Sequence, residues 1–92
     1  MASMIDFNFH KPNNIVLMDI MVDGDYIVTA RLVNGEFELP LHNQHLNSQV
    51  LSNILSLGTT IYNRDATIAE KINGKDIVVS VKTKCADITK VV

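Results

Sequence analysis

The sequence predicts a small, β-rich α+β domain: a bent antiparallel sheet or small barrel with one amphipathic helix, in the order β-β-β-α-β-β. Three observations carry this. Residues 14–22 and 26–33 are rich in β-branched and apolar side chains and flank an Asp-Gly-Asp turn. Asn34-Gly35 lies between two further apolar stretches, and Asn-Gly is the strongest short-range hairpin signal because both turn residues take positive φ. From Leu46 the apolar spacing changes from a period of two to the helical period and keeps it to Leu57. Ninety-two residues, 47% of them hydrophobic, are enough for one core. Residues 15–92 are therefore expected to fold as a single compact domain. Residues 1–14 are expected to form an N-terminal arm, whose opening "MASM" reads in part as an added leader before a native start at Met4.

The register of the first hairpin follows from charge. A two-residue turn would set Asp19 opposite Val28 on the core face and bury an unpaired carboxylate, which is costly. A three-residue turn at Asp23 to Asp25 instead sets Val22 opposite Tyr26, Ile20 opposite Val28, Met18 opposite Ala30 and Val16 opposite Leu32. For the second hairpin, the Asn-Gly turn pairs Val33 with Glu36, Leu32 with Phe37, Arg31 with Glu38, Ala30 with Leu39 and Val28 with Leu41. These registers leave Ile15, Leu17, Met21, Ile27 and Val33 on the opposite face, interrupted by Asp19, Thr29 and Arg31. That face is too apolar for simple solvation, so either the N-terminal "FNF" or a second protomer is expected to cover it.

Leu46, Val50, Leu51, Ile54, Leu55 and Leu57 form the helical stripe, with Asn43, Asn47 or Ser48 as its N-cap and Gly58 as its end cap. "TTIY" then reads as a short strand and "NRD" as a turn. "ATIAEKI" has two readings. Asp65 can cap a short helix ending at Asn73-Gly74, or the same Asn-Gly can close a hairpin pairing Lys71 with Asp76, Ile68 with Val79 and Ala66 with Val81. The hairpin is the favoured reading, with Ile77, Val79 and Val81 facing inward and Ser80, Lys82 and Lys84 outward.

Composition limits the chemistry. No run approaches the roughly 18 apolar residues of a membrane span, and the lone Cys85 cannot form an internal disulfide. A cytoplasmic protein with no membrane association is expected. His42 and His45 share one face if they lie on a helix. Zinc, however, needs three or four protein ligands and nothing near them supplies the rest, so they read as a strand-to-helix boundary and no metal is expected. Paired with a histidine, Cys85 would be a nucleophile, but a lone cysteine in strand register reads as a small core residue. Asp19, Asp23 and Asp25 do not meet the calcium-loop pattern, and none of the four glycines lies in a phosphate-binding loop. No catalytic residue and no cofactor are expected, and the chain does not read as an enzyme.

Two functional readings remain. The first is a non-catalytic interaction or assembly module, of the kind a small regulatory or viral protein supplies. It forms a homodimer or higher homo-oligomer through Ile15, Leu17, Met21, Ile27 and Val33, or takes another protein as partner. The second rests on charge and element order. Residues 1–63 carry two basic against six acidic side chains and residues 64–92 six against four, while strand-strand-strand-helix-strand-strand is the chain order of an OB-fold. An OB-like barrel would bind single-stranded nucleic acid or a small anionic nucleotide through Lys71, Lys75, Lys82 and Lys84, although only Phe7, Phe9, Tyr26, Phe37 and Tyr62 could supply stacking platforms.

Overall fold

The computed structural model describes residues 3–74 and 76–85, with the backbone alone at Cys85. Five strands form one antiparallel sheet: β1 (Ser3–His10), β2 (Leu17–Val22), β3 (Asp25–Val33), β4 (Glu36–Glu38) and β5 (Val79–Cys85), in the spatial order β4-β3-β2-β1-β5. Two helices, α1 (Gln49–Arg64) and α2 (Ala66–Ile72), connect β4 to β5 and cover one face. The α+β class and the antiparallel sheet stand as expected. The sheet does not close into a barrel, and among the described residues there are two α-helices, with four strands before them and one after.

The main difference lies in the first residues. In place of an arm, "SMIDFNFH" supplies β1, which sits between β2 and β5. Its alternation is a strand pattern: Ile5, Phe7 and Phe9 are fully buried, while Asp6 and His10 turn to the other side. Phe7 lies opposite Ile20 of β2 and Val81 of β5, so neither pairing is available until distant parts of the chain meet. At the far end Met4 and Asp23 exchange contacts. The Asp23 N–H donates to the Met4 carbonyl at 2.8 Å, and the Met4 N–H donates to Asp23 Oδ1 at 2.8 Å.

The β2–β3 hairpin keeps the expected core register by another device. Ile20 lies opposite Val28 and Met18 opposite Ala30, but the turn has two residues and Val22 lies opposite Asp25. Asp23 (φ 51°) and Gly24 (φ 87°) take the left-handed conformations that a tight turn needs. The extra residue is absorbed as a bulge at Ile27, between the Met21–Tyr26 and Ile20–Val28 pairs. Asp19 is thereby kept off the core face, as its charge requires. In the second hairpin Val33–Glu36, Leu32–Phe37 and Arg31–Glu38 pair as expected. The ladder stops at Glu38 because Pro40 has no N–H to continue it, so Ala30–Leu39 and Val28–Leu41 do not form. Leu39 is still buried, whereas Leu41 is 86% exposed.

Ser48, one of the three candidate caps, starts α1: its Oγ accepts from the Leu51 N–H at 3.1 Å. The helix then runs straight through Gly58 and through "TTIY", so Gly58 is no end cap and no strand follows it. Residues 66–72 are helix rather than hairpin, with Asp65 as N-cap and the chain turning at Asn73-Gly74. Ile68 and Ile72, one turn apart on α2, are buried against the sheet. Val79 and Val81 pack at the margin of the core, while Ile77 precedes β5 and is 43% exposed.

The core lies between the helices and one sheet face. Phe9, Phe37 and Tyr62 form its aromatic centre, with ring centroids 5.4 to 5.8 Å apart. Burial pushes the Tyr62 phenol above its ordinary value of 10.0.

Candidate functional site

The sheet face opposite the helices is open, and no described element packs on it. Strand alternation determines what it presents. Asp6, Asn8 and His10 come from β1, Leu17, Asp19 and Met21 from β2, Thr29, Arg31 and Val33 from β3, and Ser80 and Lys82 from β5. Several of its polar groups are occupied with one another. Tyr26 Oη and Thr29 Oγ1 are 2.7 Å apart, and Thr29 Oγ1 donates to Asp19 Oδ1 at 2.6 Å. Asn8 Nδ2 donates to Met21 Sδ at 3.7 Å, and Asn8 Oδ1 accepts from the Ser80 hydroxyl. His10 Nε2 lies 3.1 Å from Asp19 Oδ2, off the direction of a hydrogen bond. Among the described residues, Asp6 Oδ1 is buried without a partner, directly across the ladder from Lys82.

Of the five residues expected at an interface, Leu17, Met21 and Val33 share this face and are half-buried by their neighbours, with Asp19 between Leu17 and Met21. Ile15 is 51% exposed just ahead of β2. The strand register continues at least to Val16, whose carbonyl accepts from the Leu32 N–H at 3.0 Å, and extending it places Ile15 level with Val33. Ile27 stands apart. At the bulge it lines a groove of about 360 Å³ with Leu46, Val50, Leu51 and Ile54, at the start of α1.

The basic strip is divided. Lys82 and Lys84 are exposed and alternate to the open face, whereas Lys71 lies on α2, on the helix-covered side; Lys75 lies outside the described residues. Phe7, Phe9 and Phe37 are buried in the core, leaving Tyr26 as the exposed aromatic residue. Among the described residues, therefore, no single groove combines lysines with stacking platforms. His42 and His45 are exposed in the short 3-10 segment Leu41–Leu46. Among the described residues no group of three His, Cys, Asp or Glu side chains is placed to hold a metal, and no helix is long and apolar enough to cross a membrane.

The apolar part of this face was legible in the period-two pattern of β2 and β3. Its polar half was not, because the contacts of His10, Asn8 and Ser80 exist only once β1 lies between β2 and β5. A further cleft of about 390 Å³ opens where the loop after β1 meets the end of α2, lined by His10, Lys11, Asn13, Asn14 and Asp76, and Lys11 Nζ closes one side of it by donating to Asn73 Oδ1 at 3.0 Å. No protein-family model, no characterised protein and no solved structure matches this chain.

Proposed function

We propose that the protein is a non-catalytic association module that pairs with a second copy of itself through the open face of its sheet. The observation that carries this reading is the state of the polar groups on that face. Asp19, Thr29 and Tyr26 on β2 and β3, and Asn8 and Ser80 on β1 and β5, already satisfy one another in two groups that span four strands. Covering these five therefore strands few donors or acceptors, and an unsatisfied buried group is the usual penalty for burying a polar surface. Asp6, His10, Arg31 and Lys82 on the same face take their partners from the second copy or from water at the rim. Between them Leu17, Met21 and Val33 offer apolar area that gains from leaving water. A chain of this length has a small core, and association adds stability by mass action.

Replacement of Leu17 and Val33 by glutamate tests the reading. The double variant is expected to remain folded and to become a monomer, because two charges on a half-buried face repel a partner without entering the core. An unchanged oligomer would contradict the face. Unfolding would mean that these side chains belong to the core, and the milder pair Leu17→Ser and Val33→Ser separates loss of fold from loss of contact.

A further inference from the structure

We propose that the free edge of β5 accepts an extended acidic segment of another protein as a sixth strand. A five-stranded open sheet has two edges, and here they are treated differently. β4 is three residues long, and α1 closes it from outside: the Phe37 N–H donates to Thr59 Oγ1 at 3.0 Å, and the Gly35 carbonyl accepts from Asn63 Nδ2 at 3.1 Å. β5 is seven residues long, paired along its whole length with β1, and no described element lies on its outer side. A long, regular strand whose outer N–H and C=O groups are unpaired is a template for strand addition.

The chemistry of the occupant follows from the alternation of β5. Val79 and Val81 face the helix side at the margin of the core, and Lys82 and Lys84 face the other way and are exposed. An added strand continues both layers. Apolar side chains on one of its faces extend the core beside Val79 and Val81, and the alternate positions meet the two lysines. A second copy of β5 is the wrong partner, because two-fold antiparallel pairing gathers four lysine side chains on one face and directly opposed or neighbouring like charges destabilise a sheet. A basic strand fails for the same reason. An acidic strand gains a cross-strand charge pair at each lysine, so the residues that deter indiscriminate edge pairing also select the partner.

The probe is a fluorescein-labelled synthetic peptide of alternating glutamate and valine, added to the full chain and followed by fluorescence anisotropy. Two controls accompany it: a lysine-valine peptide, and a scrambled glutamate-valine peptide of the same composition. The alternating acidic peptide is expected to bind, and its amide-shift footprint to centre on residues 79–85. Exchange of both lysines, Lys82→Glu with Lys84→Glu, is expected to weaken it by about tenfold or more and to admit the lysine-valine peptide instead. Three results would overturn the proposal: no binding of the alternating acidic peptide, equal binding of the scrambled one, or a footprint away from β5. The peptide comparison is made on the unaltered chain, so it stands even if the charge-reversed variant fails to fold.

Discussion

Gly58, in the middle of α1, lies directly against Met18 of β2. A Cβ placed on Gly58 would sit 2.4 Å from the Met18 sulfur and 3.0 Å from Cε1 of Phe7. Met18 and Phe7 are both fully buried, so the end of the Met18 side chain can yield only by repacking inside the core. The glycine is therefore the close-approach point at which helix and sheet meet. Gly58→Ala gains about 1 kcal/mol of helix propensity but forces overpacking that costs about 1–3 kcal/mol. The clash is expected to win, with a net loss of about 1 kcal/mol and a fall in Tm of about 5 °C for a domain of this size. Urea and thermal unfolding read both quantities, and a more stable Gly58→Ala protein would show that α1 stands further from the sheet.

Thr59, the next residue, closes the β4 edge. Thr59→Val keeps the shape and removes the acceptor for the Phe37 N–H. A part-buried donor left unpaired costs about 1–3 kcal/mol. The variant is expected to lose stability in that range, and its Phe37 amide should exchange with deuterium faster than that of Leu32. Unchanged protection at Phe37 would contradict the edge closure.

The helical state of residues 66–72 has its own test. Ile72 is fully buried and Lys71 exposed. Ile72→Ala is expected to cost about 2–4 kcal/mol, and Lys71→Ala about 0.5 kcal/mol or less. Helical secondary shifts across 66–72 should accompany these values. Similar costs at the two positions would contradict a helix packed through Ile68 and Ile72.

Acid sensitivity follows from the cap of that helix. The Thr67 hydroxyl and then the Thr67 N–H, both donating to Asp65 Oδ1, hold the carboxyl below its ordinary value of 3.8, and Lys71 adds to the effect. A carboxyl depressed on folding contributes stability that is fully present above its unfolded pKa and is lost as pH falls through its folded pKa. Asp65→Asn, which still caps but carries no charge, is therefore expected to be less stable than the parent at about pH 7 and to converge with it in strong acid. Thermal unfolding against pH checks this, and a difference that does not change with pH would contradict it.

Local elements were legible in the sequence. The Asn34-Gly35 hairpin and the Ser48 cap each depend on residues close in the chain, and the charge of Asp19 pointed to the Ile20–Val28 and Met18–Ala30 pairs, though not to the two-residue turn and the bulge that produce them. The remainder depended on long-range partners. β1 is a strand because Ile5, Phe7 and Phe9 meet both β2 and β5, and α2 is a helix because Ile68 and Ile72 find the sheet beneath them. Gly58 looked like a stop because the closeness of Met18 cannot be read from its neighbours. At the candidate site the same division holds: Leu17, Met21 and Val33 follow from alternation, while the contact of His10 with Asp19 needs β1 beside β2.

Self-association through the open sheet face is read by light scattering on the unaltered chain over a wide range of protein concentration. A solution mass that holds at a multiple of 10.2 kDa, and falls to 10.2 kDa when Leu17 and Val33 become glutamate, is the predicted result. A mass of 10.2 kDa at every concentration would contradict it.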